Sequence, residues 1–400
     1  MTLSQKITPV QGVVQHYSWG GYEFIPQLLG IENKEQKPFA EYWLGAHPNH
    51  PARLNVNQGL VQLIGADAER ILGKKVTEKF GSLPYLLKVL DVRQMLSIQV
   101  HPSVASAIKG YKEENEKGIA LTAAHRNYKD QNHKPELMVA LGDFWLLHGF
   151  KEENKLAAIL KAVPELNFLQ NTFQQKGYLG LYEKVMSMPQ NEVNAILDPL
   201  IKRIVPLYEN GQLHKNQEDF WAARAALTFC KNDDYDRGIF SVYFFNLLHL
   251  KKGEGIFQPA GMPHAYLEGQ NVEIMANSDN VLRAGLTDKH IDVPELMKHV
   301  RFEATHPKVL TPDTLPEKVF FTPAEEFELH EYQLQTGQEV TIESRTGEMW
   351  ILLEGQINLG ADVQGLQLEK GRALFVEADK KVSVTAVKPS ILFRATVPQS

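Results

Sequence analysis

Four hundred residues exceed the size at which one hydrophobic core stops growing, so two or three domains are expected. A net charge of −6 with no run of lysine and arginine excludes a dedicated nucleic-acid binder, though it leaves room for one basic pocket. No stretch approaches the length of a bilayer span, the N-terminal MTLSQKITPVQG lacks the apolar core of a signal peptide, and Cys230 has no partner for an internal disulfide. A soluble, cytoplasmic chain follows as the expectation, with Cys230 read as a buried structural thiol between Leu227, Phe229 and their neighbours.

In chain order, residues 8–30 and 40–55 are rich in Tyr, Trp, Gly and Pro, which suits short strands joined by turns. Two apolar strands follow, LPYLLKVLDV and LSIQVHP, and then an Ala-, Lys- and Glu-rich stretch over 103–125 that predicts a helix broken near Gly118. HKPELMVALGDFWLLHGF returns to strand composition. From Lys151 to about Phe229, apolar residues recur at three- and four-residue spacing, which predicts a helical insertion. Strands resume at GIFSVYFFNLLHLKKGEGIFQPAGMPHAY and continue through NVEIMA and NVLRAG. A short helix, VPELMKHV, then leads to EMWILLEGQINL, GLQLEKGRALFVEA and KVSVTAV, read as hairpin-linked strands of a second β domain. The predicted fold is therefore mainly β with a helical insertion. Residues 1–150 and 238–310 form one barrel, 151–237 the insertion, and 311–400 a second barrel.

GEGIFQPAGMPH places Gly253, Pro259, Gly261 and His264 at a spacing that resembles the second motif of the cupin β-barrels, or jelly rolls. The glycines permit a tight turn, after which His264 points into the barrel. Glu268 stands where that family usually has Asn. Aligning Gly371 with Gly253 gives a worn copy in the last domain, with Glu377, Asp379 and Val382 at the Pro, Gly and His positions. The second barrel is accordingly expected to lack metal ligands.

Alternation along LSIQVHP puts Ser97, Gln99 and His101 on one face and Ile98 and Val100 on the other. Pro135 biases Lys134 towards an extended backbone, so Lys134 and Glu136 point the same way. Taken singly, His101 reads as a hydrogen-bonded core residue and Glu136 as a solvated one; Gln99 beside His101 and Pro102 after it bring the two readings of His101 level. Together with His264, Gln99, His101 and Glu136 make a nitrogen and oxygen set suited to a divalent metal. Lys88, inside LPYLLKVL, is either buried with a partner or a snorkelling edge lysine. Glu273 alternates against Val272 and Ile274 and becomes a candidate base inside the barrel. Arg283 lies between apolar residues with Lys289 close behind, placed either to hold an anion or to make a surface ion pair.

HYSWGG, AEYWLGAHP, LPYLLKVL, LSIQVHP, RNYKDQNHKPEL and PHAYLEGQNVEIMANSDNVLRAGLT, running from about residue 16 to 290, together resemble the type I mannose-6-phosphate isomerases. Departures are small: Ser18 replaces a usual Ala, and TDKH a commoner TPK. The resemblance implies one zinc ion per chain held by Gln99, His101, Glu136 and His264, an active-site arginine at Arg283, an aldose–ketose interconversion, and a hexose 6-phosphate as substrate. In that reading Glu273 or Lys134 moves the proton between C2 and C1, Arg283 balances negative charge, and Lys88, Lys289 and Ser97 help hold the phosphate. A monomer is the expected state. An iron-dependent cupin oxygenase and a non-catalytic sugar-phosphate sensor are the alternatives from other classes.

Overall fold

The computed structural model describes residues 7–55, 58–231, 234–360 and 365–398. Its named strands pair antiparallel throughout and form two large sheet systems and one two-stranded sheet, and the main run of helices is inserted between strands of the first system.

The first system is a sandwich built around one long strand, His264–Ala276. Its C-terminal half pairs on one side with Glu136–Ala140 and on the other with Tyr85–Val92. Gly255–Gln258 and Glu41–Gly45 extend that layer in opposite directions. Its N-terminal half pairs instead with Phe144–Phe150 and Gln99–Val100, and Leu282–Arg283 adds to the latter. The change of partners coincides with a bulge between Tyr266 and Glu268 and with Gly269 at φ 130. A Cβ at Gly269 would stand 2.6 Å from the carbonyl of Asp143, so only glycine lets the strand pass there. One strand thus serves both layers, and it carries His264, Tyr266 and Glu273 into a pocket between them.

Tyr85–Val92 is buried along its whole length because both faces are covered. Leu87 and Val89 pack towards Leu329, Met349, Ile351 and Phe393 of the C-terminal domain, while Leu90 packs inside the sandwich with Met138, Phe144 and Tyr266. Tyr85 joins the two sheet systems by donating to the carbonyl of Ala395 at 2.8 Å and accepting from the amide of Met349 at 3.1 Å.

The second system carries the last strands, Glu328–Leu334, Glu348–Leu359, Ala373–Val376 and Lys380–Thr396 among them, around Trp350, Leu352, Val382 and Leu392. Val382, at the histidine position of the worn motif, is one of these core residues. The strand Ile7–Val10 also belongs here, pairing with Ala373–Val376 from the far end of the chain.

Between Lys151 and Phe244 the helices Glu153–Ala162, Gln170–Ser187, Gln190–Glu209 and Glu218–Phe229 pack against the outer side of the Phe144–Phe150 layer. GIFSVYF departs from expectation: Gly238–Phe244 is a helix, and the strand starts only at Phe245. All seven of its residues are buried, and a short, wholly apolar run carries no period to separate helix from strand. LSIQVHP is likewise extended, but it ladders only at Gln99–Val100.

Candidate metal centre and cleft

Three strands converge on one point. His101, Glu136 and His264 are buried, and one ligating atom from each lies within 4.8 Å of the others. Glu136 Oε2 is 3.1 Å from His264 Nε2, and Oε1 is 3.5 Å from His101 Nε2. Each ring is oriented from behind. His101 Nδ1 contacts the carbonyl of Asn280 at 2.8 Å, and His264 Nδ1 that of Met262 at 2.9 Å. A carbonyl only accepts, so both rings carry a proton on Nδ1 and turn Nε2 towards the carboxylate. His101 Nε2 is buried without a hydrogen-bond partner. An orphaned ring nitrogen facing a second imidazole and a carboxylate fits a cation better than it fits a closed polar network.

Gln99 sits directly across the ladder from His264 on one side and from Arg283 on the other. Directly opposed residues share a face, so Arg283, Gln99 and His264 form a row across three strands. Lys134 Nζ is 3.1 Å from Glu136 Oε1, which meets the expectation that they point together. Burial pushes the Glu136 carboxyl up, but Lys134 and then His101 outweigh it and hold it well below the usual carboxylate range.

Beside this cluster lies a second charged group. Lys88 Nζ is 3.0 Å from Glu273 Oε1 and 3.7 Å from Glu41 Oε2, all three side chains being buried. Burial pulls the Lys88 ammonium down, yet Glu273, Glu41 and Glu136 together raise it above the ordinary lysine value. The other oxygen of Glu273 accepts from the Tyr266 hydroxyl at 2.8 Å, and Glu41 accepts from the indole of Trp43. Lys88 is therefore a paired interior cation and not a snorkelling one.

An inner pocket of about 50 Å³ lies against Glu136, His264, Tyr266 and Glu273. It shares Glu41, Lys88, Ser97, Gln99 and Lys134 with an outer cleft of about 590 Å³. The cleft reaches Arg283 and Lys289 and is walled on one side by Thr228 and Phe229 of the helical insertion. Arg283 is half-buried, and burial alone lowers it; among the described residues no carboxylate pairs with it. Burial and then the Arg283 guanidinium lower Lys289. The cleft thus has metal-type donors and carboxylates at its inner end and two mutually repelling cations farther out.

Comparison with known proteins decides the family. The model of the type I phosphomannose isomerase catalytic domain matches residues 7–153. The mannose-6-phosphate isomerase of Escherichia coli (strain K12) is 36% identical over 380 residues, covering 92% of this chain and 94% of that one. The Bos taurus mannose-6-phosphate isomerase is 31% identical over 431 residues, covering 98% and 99%. This chain belongs to the type I phosphomannose isomerases. A crystal structure of a mannose 6-phosphate isomerase bound with zinc and yttrium superimposes with a TM-score of 0.87 at 33% identity, covering 98% of this chain and 100% of that one. The Salmonella typhimurium enzyme bound to its substrate, fructose 6-phosphate, and to zinc gives 0.87 at 32%, with the same coverage.

Within this phosphomannose isomerase fold, all ten residues singled out from sequence line the cleft or stand at the His–Glu–His cluster. Lys289 is the outlying one, at the outer rim and exposed. Sequence reasoning missed Glu41, Tyr266 and Asp279. Glu41 carries the same signal as Lys88: in AEYWLG it shares a strand face with Trp43 while Tyr42 and Leu44 take the apolar side. Asp279 lies 3.4 Å from His47 Nε2, and that contact holds its carboxyl below the usual range. Glu268, the departure from the cupin motif, faces away from the cleft and pairs with Lys215 and Arg224 of the insertion.

Proposed function

We propose that the chain interconverts mannose 6-phosphate and fructose 6-phosphate through an enediol, with one zinc ion held by Gln99, His101, Glu136 and His264. The carrying observation is the orphaned His101 Nε2 beside Glu136 and His264, which border an inner pocket sharing Lys88, Gln99 and Lys134 with the cleft of Arg283. Zinc bound there supplies Lewis acidity towards the O1 and O2 oxygens, a contribution of several kcal/mol to stabilising an enediolate. The chain supplies the rest. Glu273, gripped by Lys88 and Tyr266, or Lys134 moves the proton between C2 and C1. Arg283 balances charge that develops on the oxygens, and Lys88, Lys289 and Ser97 contribute to holding the phosphate. Lys289, lowered by burial and then by Arg283, lines the same cleft as that guanidinium.

The working unit is read as a monomer in the cytoplasm, without nucleic-acid partners. A net charge of −6 gives no basic face for nucleic acid, and a single cysteine leaves no internal disulfide that would need an oxidising compartment. Among the described residues, no helix is long and apolar enough to cross a membrane. The deciding experiment is an assay of fructose 6-phosphate formation from mannose 6-phosphate by zinc-loaded and chelator-treated protein. Turnover that depends on zinc is expected. Full turnover after complete chelation overturns the metal role, and oxygen consumption in place of isomerisation overturns the reaction.

A further inference from the structure

The helical insertion does more than wall the cleft. Asp236 lies just before its helix Gly238–Phe244, and its carboxylate accepts three backbone N–H groups. Oδ1 takes Gly238 at 2.6 Å and Leu286 at 2.8 Å, and Oδ2 takes Thr287 at 3.0 Å. Two of these donors belong to the turn that follows Arg283. That turn is bent in a way most residues avoid: Gly285 has φ 127, and Leu286, a fully buried non-glycine, has φ 52. The approach of the two segments is close enough to require a glycine from each. A Cβ at Gly285 would lie 2.4 Å from Gly238 Cα, and one at Gly238 would lie 2.6 Å from Leu286 N. Strained backbone of this kind persists only where its surroundings over-determine it, and here the surroundings are the insertion. Asp236 is held in turn, its amide donating to Cys230 Sγ at 3.3 Å.

Arg283 itself lines the cleft, while Asp236 does not. The backbone of Arg283 is fixed on one side by its ladder position across from Gln99, and on the other by the turn that Asp236 grips.

We propose that Asp236 is a positioning residue for the isomerisation, clamping the 284–287 turn to the insertion so that Arg283 is presented to the anionic substrate. This rests on the isomerase reading above, and it assigns a chemical purpose to the join between insertion and barrel.

The test is a double-mutant cycle on zinc-loaded protein: wild type, Asp236→Asn, Arg283→Ala and the double variant. Asp236→Asn keeps the side-chain volume but sets an amide N–H against the Thr287 donor. We expect it to lower kcat/KM tenfold or more in the wild type, and less than twofold when Arg283 is already alanine. A merely structural role predicts equal losses in both backgrounds, and that result, or no loss in the wild type, overturns the proposal. Asp236→Glu, which keeps the charge and moves it by one methylene, runs the same cycle if the amide variant does not fold. Calorimetric titration with fructose 6-phosphate repeats the cycle without turnover. Binding without isomerisation sinks the isomerase reading and leaves Asp236 to be judged by the binding cycle; absence of binding sinks both.

Discussion

His101 gives its Nδ1 proton to the backbone carbonyl of Asn280 across 2.8 Å. The Asn280 side chain at the same time donates to the carbonyls of Asp130 and Asn132 and accepts the amide of Lys129. One buried asparagine therefore ties the segment bearing His101 to the segment that leads to Lys134 and Glu136. Asn280→Ala keeps that carbonyl but removes the side-chain bonds that fix it, and is expected to weaken zinc binding by up to about 10-fold, the low end of the effect of disturbing an outer partner of a metal ligand. Competition against a chromophoric chelator measures this. An unchanged affinity would show that the carbonyl alone sets the ring.

Glu273→Gln keeps the hydrogen-bond geometry with Tyr266 but removes the charge. If Glu273 is the proton carrier, kcat falls about 10²- to 10⁴-fold while KM changes little. Steady-state kinetics on both sugar phosphates separates the cases. A change in KM alone moves the role to Lys134.

Lys88→Met leaves Glu41 and Glu273 buried without their shared cation. Breaking such a buried pair costs about 3–5 kcal/mol, so the urea midpoint should drop markedly. Lys88→Met with Glu41→Gln and Glu273→Gln should recover much of that loss. Failure to recover would place the damage in packing rather than in uncompensated charge.

Glu268 holds two cations of the insertion, and Arg224 also reaches the carbonyl of Arg93. The group is partly exposed, so the effect of Glu268→Gln is moderated by solvent and is expected near 1–2 kcal/mol. Proteolysis between the insertion and the barrel should accelerate in parallel. Destabilisation without faster cleavage there would argue against a local clamp.

Two histidines set opposite pH dependences. Burial lowers His148 to about 4, so between the unfolded value near 6.5 and that value only the unfolded chain takes the proton. Its neutral state therefore loses about 3 kcal/mol of stability as pH falls through that window. For His330, burial is outweighed by Glu317 and Glu328, at 2.7 and 2.8 Å, and the ring is raised. Its contribution is complete below 6.5 and fades as pH rises through the raised value. Denaturation midpoints of chelated protein from pH 4 to 8 should show His148→Gln flattening the acid side and His330→Gln the neutral side. Parallel curves for wild type and variants would refute both assignments.

The inner end of the cleft is readable because strand alternation carries side-chain direction. Gln99 with His101, Lys134 with Glu136, and Glu273 against Val272 each declare a face two residues at a time. Lys88 announces itself as a charge inside the apolar run LPYLLKVL, and Glu41 carries the same signal in AEYWLG. Asp279 and Asp236 have no such signal, since they sit in irregular backbone where no period tells which way a side chain points. Gly238–Phe244 misleads for a related reason: its uniform burial erases the helical stripe. Tyr266, inside the quoted PHAY, is visible but reaches Glu273 only through a bulged strand, which spacing does not reveal.

The pairing of Ile7–Val10 with Ala373–Val376 has a consequence for biosynthesis. Ile7–Val10 is synthesised before its mate, so it stays without this ladder until Ala373–Val376 has been made. Losing Ala373–Val376 should therefore unfasten Ile7–Val10 as well, although the two lie far apart in the sequence.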